Sequence, residues 1–302
     1  MPVIGDAVGL TVDRIMLATD FSPASEAATN YAKALAKRFS STLMVAHVID
    51  LSVAAKSDAV VGRPIDEMRR KAGDHFVRLV EELSSAGIRS TSHTMEDGNP
   101  AAAIIRLAKR LRADLVIAGT SGRQGLSKAI LGSCAEGVIR HAECPVLTVG
   151  PKAKPEPDGP LAFRKIVFAT DFHTSAMAEA AVACAFARDS MAKLYLCHIV
   201  DDGSNSVADR LTIQARAEAA LANLVPDASY EWVDPEFVVE HGKAAAEIAG
   251  LANHVGADLI VMGAKRGSFL GSHIVNGVVG NVLAQVPCPV MTVRARVEEA
   301  RG

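Results

Sequence analysis

Arg14-Ile-Met-Leu-Ala-Thr-Asp20-Phe21 recurs later in the chain as Lys165-Ile-Val-Phe-Ala-Thr-Asp171-Phe172. The step from Asp20 to Asp171 is 171 − 20 = 151 residues. His47-Val-Ile-Asp50 returns as His198-Ile-Val-Asp201 at the same step. Ala113-Asp-Leu-Val-Ile-Ala-Gly119 returns as Ala257-Asp-Leu-Ile-Val-Met-Gly263, and Cys144-Pro-Val-Leu-Thr-Val149 as Cys288-Pro-Val-Met-Thr-Val293, now at 263 − 119 = 144. The second half has therefore lost 151 − 144 = 7 residues between His198 and Asp258. Two copies in one register are a duplication, and the fold question reduces to one half.

Each half alternates short apolar runs with longer amphipathic ones. In the first, Ile15–Ala18 reads as a buried strand. Ser22-Pro23 reads as a cap and first-turn proline opening a helix to about Phe39, and Leu43–Ile49 as the next strand. Residues 66–85 give a helix with Met68, Phe76, Leu79, Val80 and Leu83 inward, followed by a weaker strand over Ser90–Met95. Asn99-Pro100 opens a helix carrying Ile104, Leu107, Ala108 and Leu111 on one stripe. A strand at Asp114–Ala118, a glycine loop, a helix and a Cys-Pro strand complete the unit. Strands and helices alternating at this spacing predict a doubly wound open parallel sheet, α/β and Rossmann-like, with ligands beyond the carboxyl ends of the strands. Gly150–Pro160 holds four prolines and no apolar periodicity, so it reads as a linker between domains at 1–152 and 160–302.

The chemistry concentrates in Gly119-Thr-Ser-Gly122, followed after nine intervening residues by Gly132-Ser133. Glycines let backbone N–H groups approach a phosphate, and a helix start favours negative charge. Ser133 and Glu136 have the spacing of a capping box, which places Ser133 at the N-cap. The alternative is that these glycines only shape a turn and a cap.

Composition excludes other classes. A formal net charge of −2 gives no basic field for nucleic acid, and 4% aromatics supply no base-stacking platform. Five scattered cysteines form no C-x-x-C pair, which suits reduced thiols in the cytoplasm. No leader and no membrane span are expected. Asp20 and Asp171 end strands as phospho-acceptors do, but no acidic pair precedes them, so a ligand-side or turn carboxylate is expected. His47 and His198 read as hydrogen-bonded histidines at the core edge, and Cys144 and Cys288 as small buried residues. Lys128 has no Walker spacing and no nucleophile elbow exists, so no residue is assigned to catalysis and none to a metal.

These motifs resemble the universal stress protein family, whose nucleotide signature is Gly, two residues, Gly, nine residues, Gly, then Ser or Thr. Gly119, Gly122, Gly132 and Ser133 satisfy it, and the resemblance covers both halves. It implies a five-stranded sheet per half and ATP, with Mg²⁺ admissible beside it. The implied site is Ala18, Thr19, Asp20, Val48, Ala118, Gly119, Gly122, Gly132, Ser133 and Cys134, with Asp20 and Val48 by the adenosine and Gly122, Gly132 and Ser133 at the phosphates. It further implies an intramolecular pseudo-dimer through the last strands, open to further dimerisation. In the second half Gly122 becomes Arg266, Gly132 becomes Asn276, Ser133 becomes Gly277 and Glu136 becomes Gly280. That loop reads as degenerate and nucleotide-free, although Lys265 and Arg266 leave phosphate binding by charge open, as does a displaced Leu270-Gly271-Ser272. The expected function is an ATP-binding stress-response regulator or sensor. A slow Mg²⁺-dependent ATPase or phosphotransferase using Asp20 or Ser133, and a nucleotide-independent interaction module, remain as alternatives.

Overall fold

The computed structural model describes residues 3–5, 8–54, 63–120, 131–154, 163–201, 207–264 and 277–294. The chain divides into two compact units. The first runs from Thr11 to Leu161, and the second comprises Val3–Leu10 together with Ala162–Gly302. The short strands β1 (Val3–Gly5) and β2 (Val8–Thr11) pair in a two-stranded sheet that the sequence reading did not anticipate.

In the first unit β3 (Arg14–Ala18) is followed by a 3-10 turn at Pro23–Ser25 and α1 (Glu26–Phe39), and then by β4 (Thr42–Asp50) and a short α2 (Leu51–Ala54). Next come α3 (Arg63–Ser85), β5 (Ser90–Asp97), α4 (Pro100–Leu111), β6 (Leu115–Gly119), α5 (Ser133–His141) and β7 (Val146–Val149). The five strands β3 to β7 are parallel and lie in the order β7-β6-β3-β4-β5. From β3 the chain winds outward to β4 and β5, then returns to the other side of β3 for β6 and β7. Right-handed crossovers therefore put α1 and α3 on one face and α4 and α5 on the other. Lys33 and Glu82 join α1 to α3 at 2.5 Å, while α4 packs on α5.

The inner strands explain the apolar runs. Ile15–Ala18, Leu115–Ala118 and Val146–Val149 are buried throughout, as a sheet covered on both faces demands. The outer strand β5 reads Ser-Thr-Ser-His-Thr-Met-Glu-Asp and is half exposed, a polar sequence suited to an edge. On α3, Phe76 and Leu83 are buried together with Ala72, while Met68, Leu79 and Val80 are half-buried.

The second unit repeats the plan with β8 (Lys165–Ala169), α6 (Ala176–Ser190), β9 (Lys193–Val200), α7 (Val207–Ala222) and β10 (Pro235–His241). It ends with α8 (Ala244–Val255), β11 (Leu259–Gly263), α9 (Val278–Leu283) and β12 (Val290–Val293). Its parallel order is β10-β9-β8-β11-β12. Ala244 already stands 144 residues after Pro100, so the seven missing residues fall in the β9–β10 connection. That connection carries α7, which at 16 residues is shorter than the 23-residue α3.

Candidate functional site

The order of the first sheet reverses between β3 and β6, and a parallel sheet opens a crevice at such a point beyond its strand ends. A cavity of about 1110 Å³ lies there. Ala18, Thr19 and Asp20 reach it from the end of β3, Val48 from β4, Ala118 and Gly119 from β6, and Gly132, Ser133 and Cys134 from the start of α5. Nine of the ten site residues expected from the sequence thus meet in one place. Gly122, the tenth, lies outside the described residues, as do Lys128, Arg266, Asn276 and the proline-rich stretch from 155 to 160.

The turn after β3 is built by its own side chains. Thr19 Oγ1 accepts from the Phe21 backbone N–H at 3.0 Å, and Asp20 Oδ1 accepts from Ser22 N–H at 3.0 Å and from Ser22 Oγ at 2.6 Å. These bonds hold Phe21 in the left-handed region at φ 57°, a conformation uncommon for a residue with a Cβ. Ser22 therefore serves Asp20 and makes no side-chain cap of its own. Of the two Asp20 oxygens only Oδ1 makes these bonds, and Oδ2 is buried without a hydrogen-bond partner among the described residues. His47 Nδ1–H donates to the Thr19 carbonyl at 2.9 Å, so this histidine is committed to the backbone.

The start of α5 differs from the sequence expectation. Gly132 is the N-cap, in extended conformation (φ −65°, ψ 149°), and Ser133 is the first helical residue. The capping box does not form. Gly132 N–H is clamped by the Thr120 carbonyl at 2.7 Å, which fixes the helix entry one residue early. Glu136 is drawn away to Arg140, one turn on, at 2.8 Å. Among the described residues no side chain caps α5, so its first N–H groups are available to an anion at the cavity that Gly132, Ser133 and Cys134 line.

A second helix start, which the sequence reading placed but did not assign to the site, borders the same cavity. Gly98, Asn99, Pro100 and Ala101 line it at the head of α4, with Ile104 and Ile105 behind them. Asn99 caps that helix by accepting from Ala102 N–H at 3.1 Å. The signal available in the sequence was Asn99-Pro100 itself: helix starts after parallel strands all gather at one end of the sheet.

Cys134 is half-buried at the head of α5 and lines the cavity. Burial pushes its thiol up to about 11, with the carboxylates of Asp20 and Asp50 adding to the rise. A rise of that size from the ordinary thiol range means that at pH 8 Cys134 should carry on the order of a hundredfold less thiolate than a free cysteine. Mass-spectrometric labelling with iodoacetamide at pH 8 should be correspondingly slow and should accelerate as pH approaches 11. Labelling as fast as free cysteine would contradict this assignment.

Two segments, residues 11–150 and 162–294, each match the family model of the universal stress protein family. The chain belongs to the universal stress protein family. A universal stress protein of Methanocaldococcus jannaschii is 33% identical over 144 residues, covering 45% of this chain and 81% of that one. The crystal structure of a universal stress protein from Archaeoglobus fulgidus aligns over 96% of this chain and 98% of its own, with a TM-score of 0.72 at 21% identity. A universal stress protein solved in complex with cAMP covers 44% of this chain and 98% of its own, at 24% identity and a TM-score of 0.38. The present protein is thus a tandem universal stress protein whose units share the α/β fold. No helix among the described residues is long and apolar enough to cross a membrane. No described cluster of three or more His, Cys, Asp or Glu side chains could hold a metal.

Proposed function

We propose that the cavity of the first unit holds an adenine nucleotide, ATP, and that this universal stress protein acts as a nucleotide-dependent regulator or sensor. The observation carrying this reading is Asp20 Oδ2, a buried carboxylate oxygen that lacks a partner among the described residues and belongs to a residue lining the cavity. A buried acceptor left unmade is costly, and a nucleoside N–H or O–H donor would satisfy it. The rest of the cavity suits the remainder of the molecule. Its volume lies at the upper end of small-molecule sites, ~1,000 Å³, and the uncapped start of α5 offers Ser133, Cys134 and Ala135 N–H groups to phosphates. Asp20 and Val48 would then take the adenosine and Gly132 and Ser133 the phosphates.

The test is the nucleotide content of the purified protein, read by mass spectrometry after denaturation, together with calorimetry against ATP. One adenine nucleotide per chain is expected; no bound nucleotide and no titration would refute the reading and leave the glycine loop a structural turn. Mg²⁺-dependent phosphate release would instead assign catalysis. Asp20→Asn separates the two jobs of this carboxylate. Its Oδ1 can still accept from Ser22, while the second atom becomes a donor. Affinity should fall about tenfold, ~1.4 kcal/mol, with little change in melting temperature. Unchanged affinity would remove Asp20 from the site.

A further inference from the structure

Comparing the units position by position exposes a difference outside the glycine loop. Ala28, at the first turn of α1, corresponds to Glu179 on α6 at the step of 151, and Ala103 on α4 corresponds to Glu247 on α8 at the step of 144. Ala28 and Ala103 are buried methyl groups. Their replacements are carboxylates, and both reach the carboxyl ends of strands. Glu179 is only 4% exposed and accepts from Ser175 Oγ at 2.6 Å. Its carboxylate lies against the last residue of β11, so close that a Cβ at Gly263 would stand 2.6 Å from each oxygen. At the matching Gly119, a cavity residue, the nearest atom to such a Cβ is the Ala24 carbonyl oxygen at 3.2 Å. Glu247 does the same at β10. Its Oε1 is 2.8 Å from a Cβ at Gly242, whereas the space beside the matching Gly98 is open to 4 Å.

Both carboxylates also sit in the first turns of their helices, α6 and α8. They face the partial positive charge that an incoming anion would otherwise use. Burial raises the Glu179 pKa, the hydrogen bond from Ser175 opposes the rise, Asp171 adds to it and His173 opposes it. A phosphate arriving beside it would either meet a like charge or force the carboxyl to take up a proton.

We propose that Glu179 and Glu247 exclude phosphate-bearing ligands from the strand ends of the second unit, and so set the specificity difference between the two copies together with the glycine loop. The proposal rests on the reading that the first unit takes a nucleotide. The two units have opposite charge preferences at equivalent positions. The first has apolar methyl groups where the second has built-in anions.

The test starts from the full chain carrying R266G, N276G and G277S, which restores the loop signature of the first unit. Calorimetry with ATP is then run with and without E179Q and E247Q, which keep the side-chain shape and allow the bond from Ser175. A parallel chain carries E179A and E247A, copying the first unit's own residues, so that a folding failure in one pair does not decide the outcome. The expected result is a second site at least tenfold tighter once the two carboxylates are neutral, in the Gln and Ala pairs alike. Equal second-site affinity with and without the carboxylates overturns the proposal, as does a gain in the Ala pair alone, which would mean steric blockage. Absence of a second site throughout also overturns it. The site of the first unit is counted in the same titrations. If it is missing, the nucleotide reading itself falls.

Discussion

Gly137→Leu should destabilise the first unit by about 3 kcal/mol, the upper end of what overpacking usually costs, and should weaken ATP binding with it. Gly137 lies in the middle of α5, where glycine is ordinarily a liability worth about 1 kcal/mol against alanine. Here it is required, because a Cβ at this position would stand 2.5 Å from the Ala101 Cβ on α4. The two helices touch backbone to side chain at this point, and both heads line the cavity. A leucine must push α4 and α5 apart, and the two rims of the cavity separate with them. Chemical denaturation of the full chain measures the first effect and calorimetry the second. Stability equal to that of the unsubstituted chain would show that the contact has room to give. Loss of stability with unchanged affinity would show that helix spacing does not govern the cavity.

The other large effect is expected at Gly122→Arg, which copies into the first half the residue that stands at 266 in the second. A glycine in a phosphate loop serves close approach of the backbone, and a long side chain there takes the ligand's space. Affinity for ATP should drop at least tenfold, ~1.4 kcal/mol or more, while thermal stability without ligand barely moves. The contrast with Gly137 is diagnostic. One glycine is needed by the packing of helices and should cost stability, the other by the ligand and should cost only binding. If Gly122→Arg binds normally, the loop is not a phosphate site. If it unfolds the unit, the glycine is architectural.

The sheet was legible in the sequence because a parallel strand covered on both faces has to be apolar at nearly every residue, as Ile15–Ala18 and Leu115–Ala118 are. The repeat then carried the second unit without independent evidence. That the candidate site residues gather was legible for a related reason: strand ends in such a sheet converge, so Asp20, Val48 and Gly119 had to lie at one end of the sheet wherever their helices went. What the sequence concealed was local. Ser133 and Glu136 had capping-box spacing, but spacing does not reveal that the Thr120 carbonyl takes Gly132 N–H, or that Glu136 pairs with Arg140. Nor did periodicity show that Gly137 is a contact point, since a glycine in an amphipathic helix looks the same whether it is tolerated or required. Glu179 and Glu247 were invisible for the opposite reason. Each is an ordinary helical glutamate until the strand-end glycine beside it is placed.

The turn after the first strand of each unit has a history to tell. Phe21 and Phe172 share φ 57°, and each Phe N–H donates to its threonine Oγ1 at 3.0 Å. His47 and His198 reach the threonine carbonyls at the same 2.9 Å. This corner is the same in both units, while Gly122, Gly132, Ala28 and Ala103 correspond to Arg266, Asn276, Glu179 and Glu247. A corner shared by two units that differ in the glycine loop serves the fold common to both, whatever else it touches. The molecule therefore holds its own record of which residues build the scaffold and which were free to be reassigned once a second copy existed.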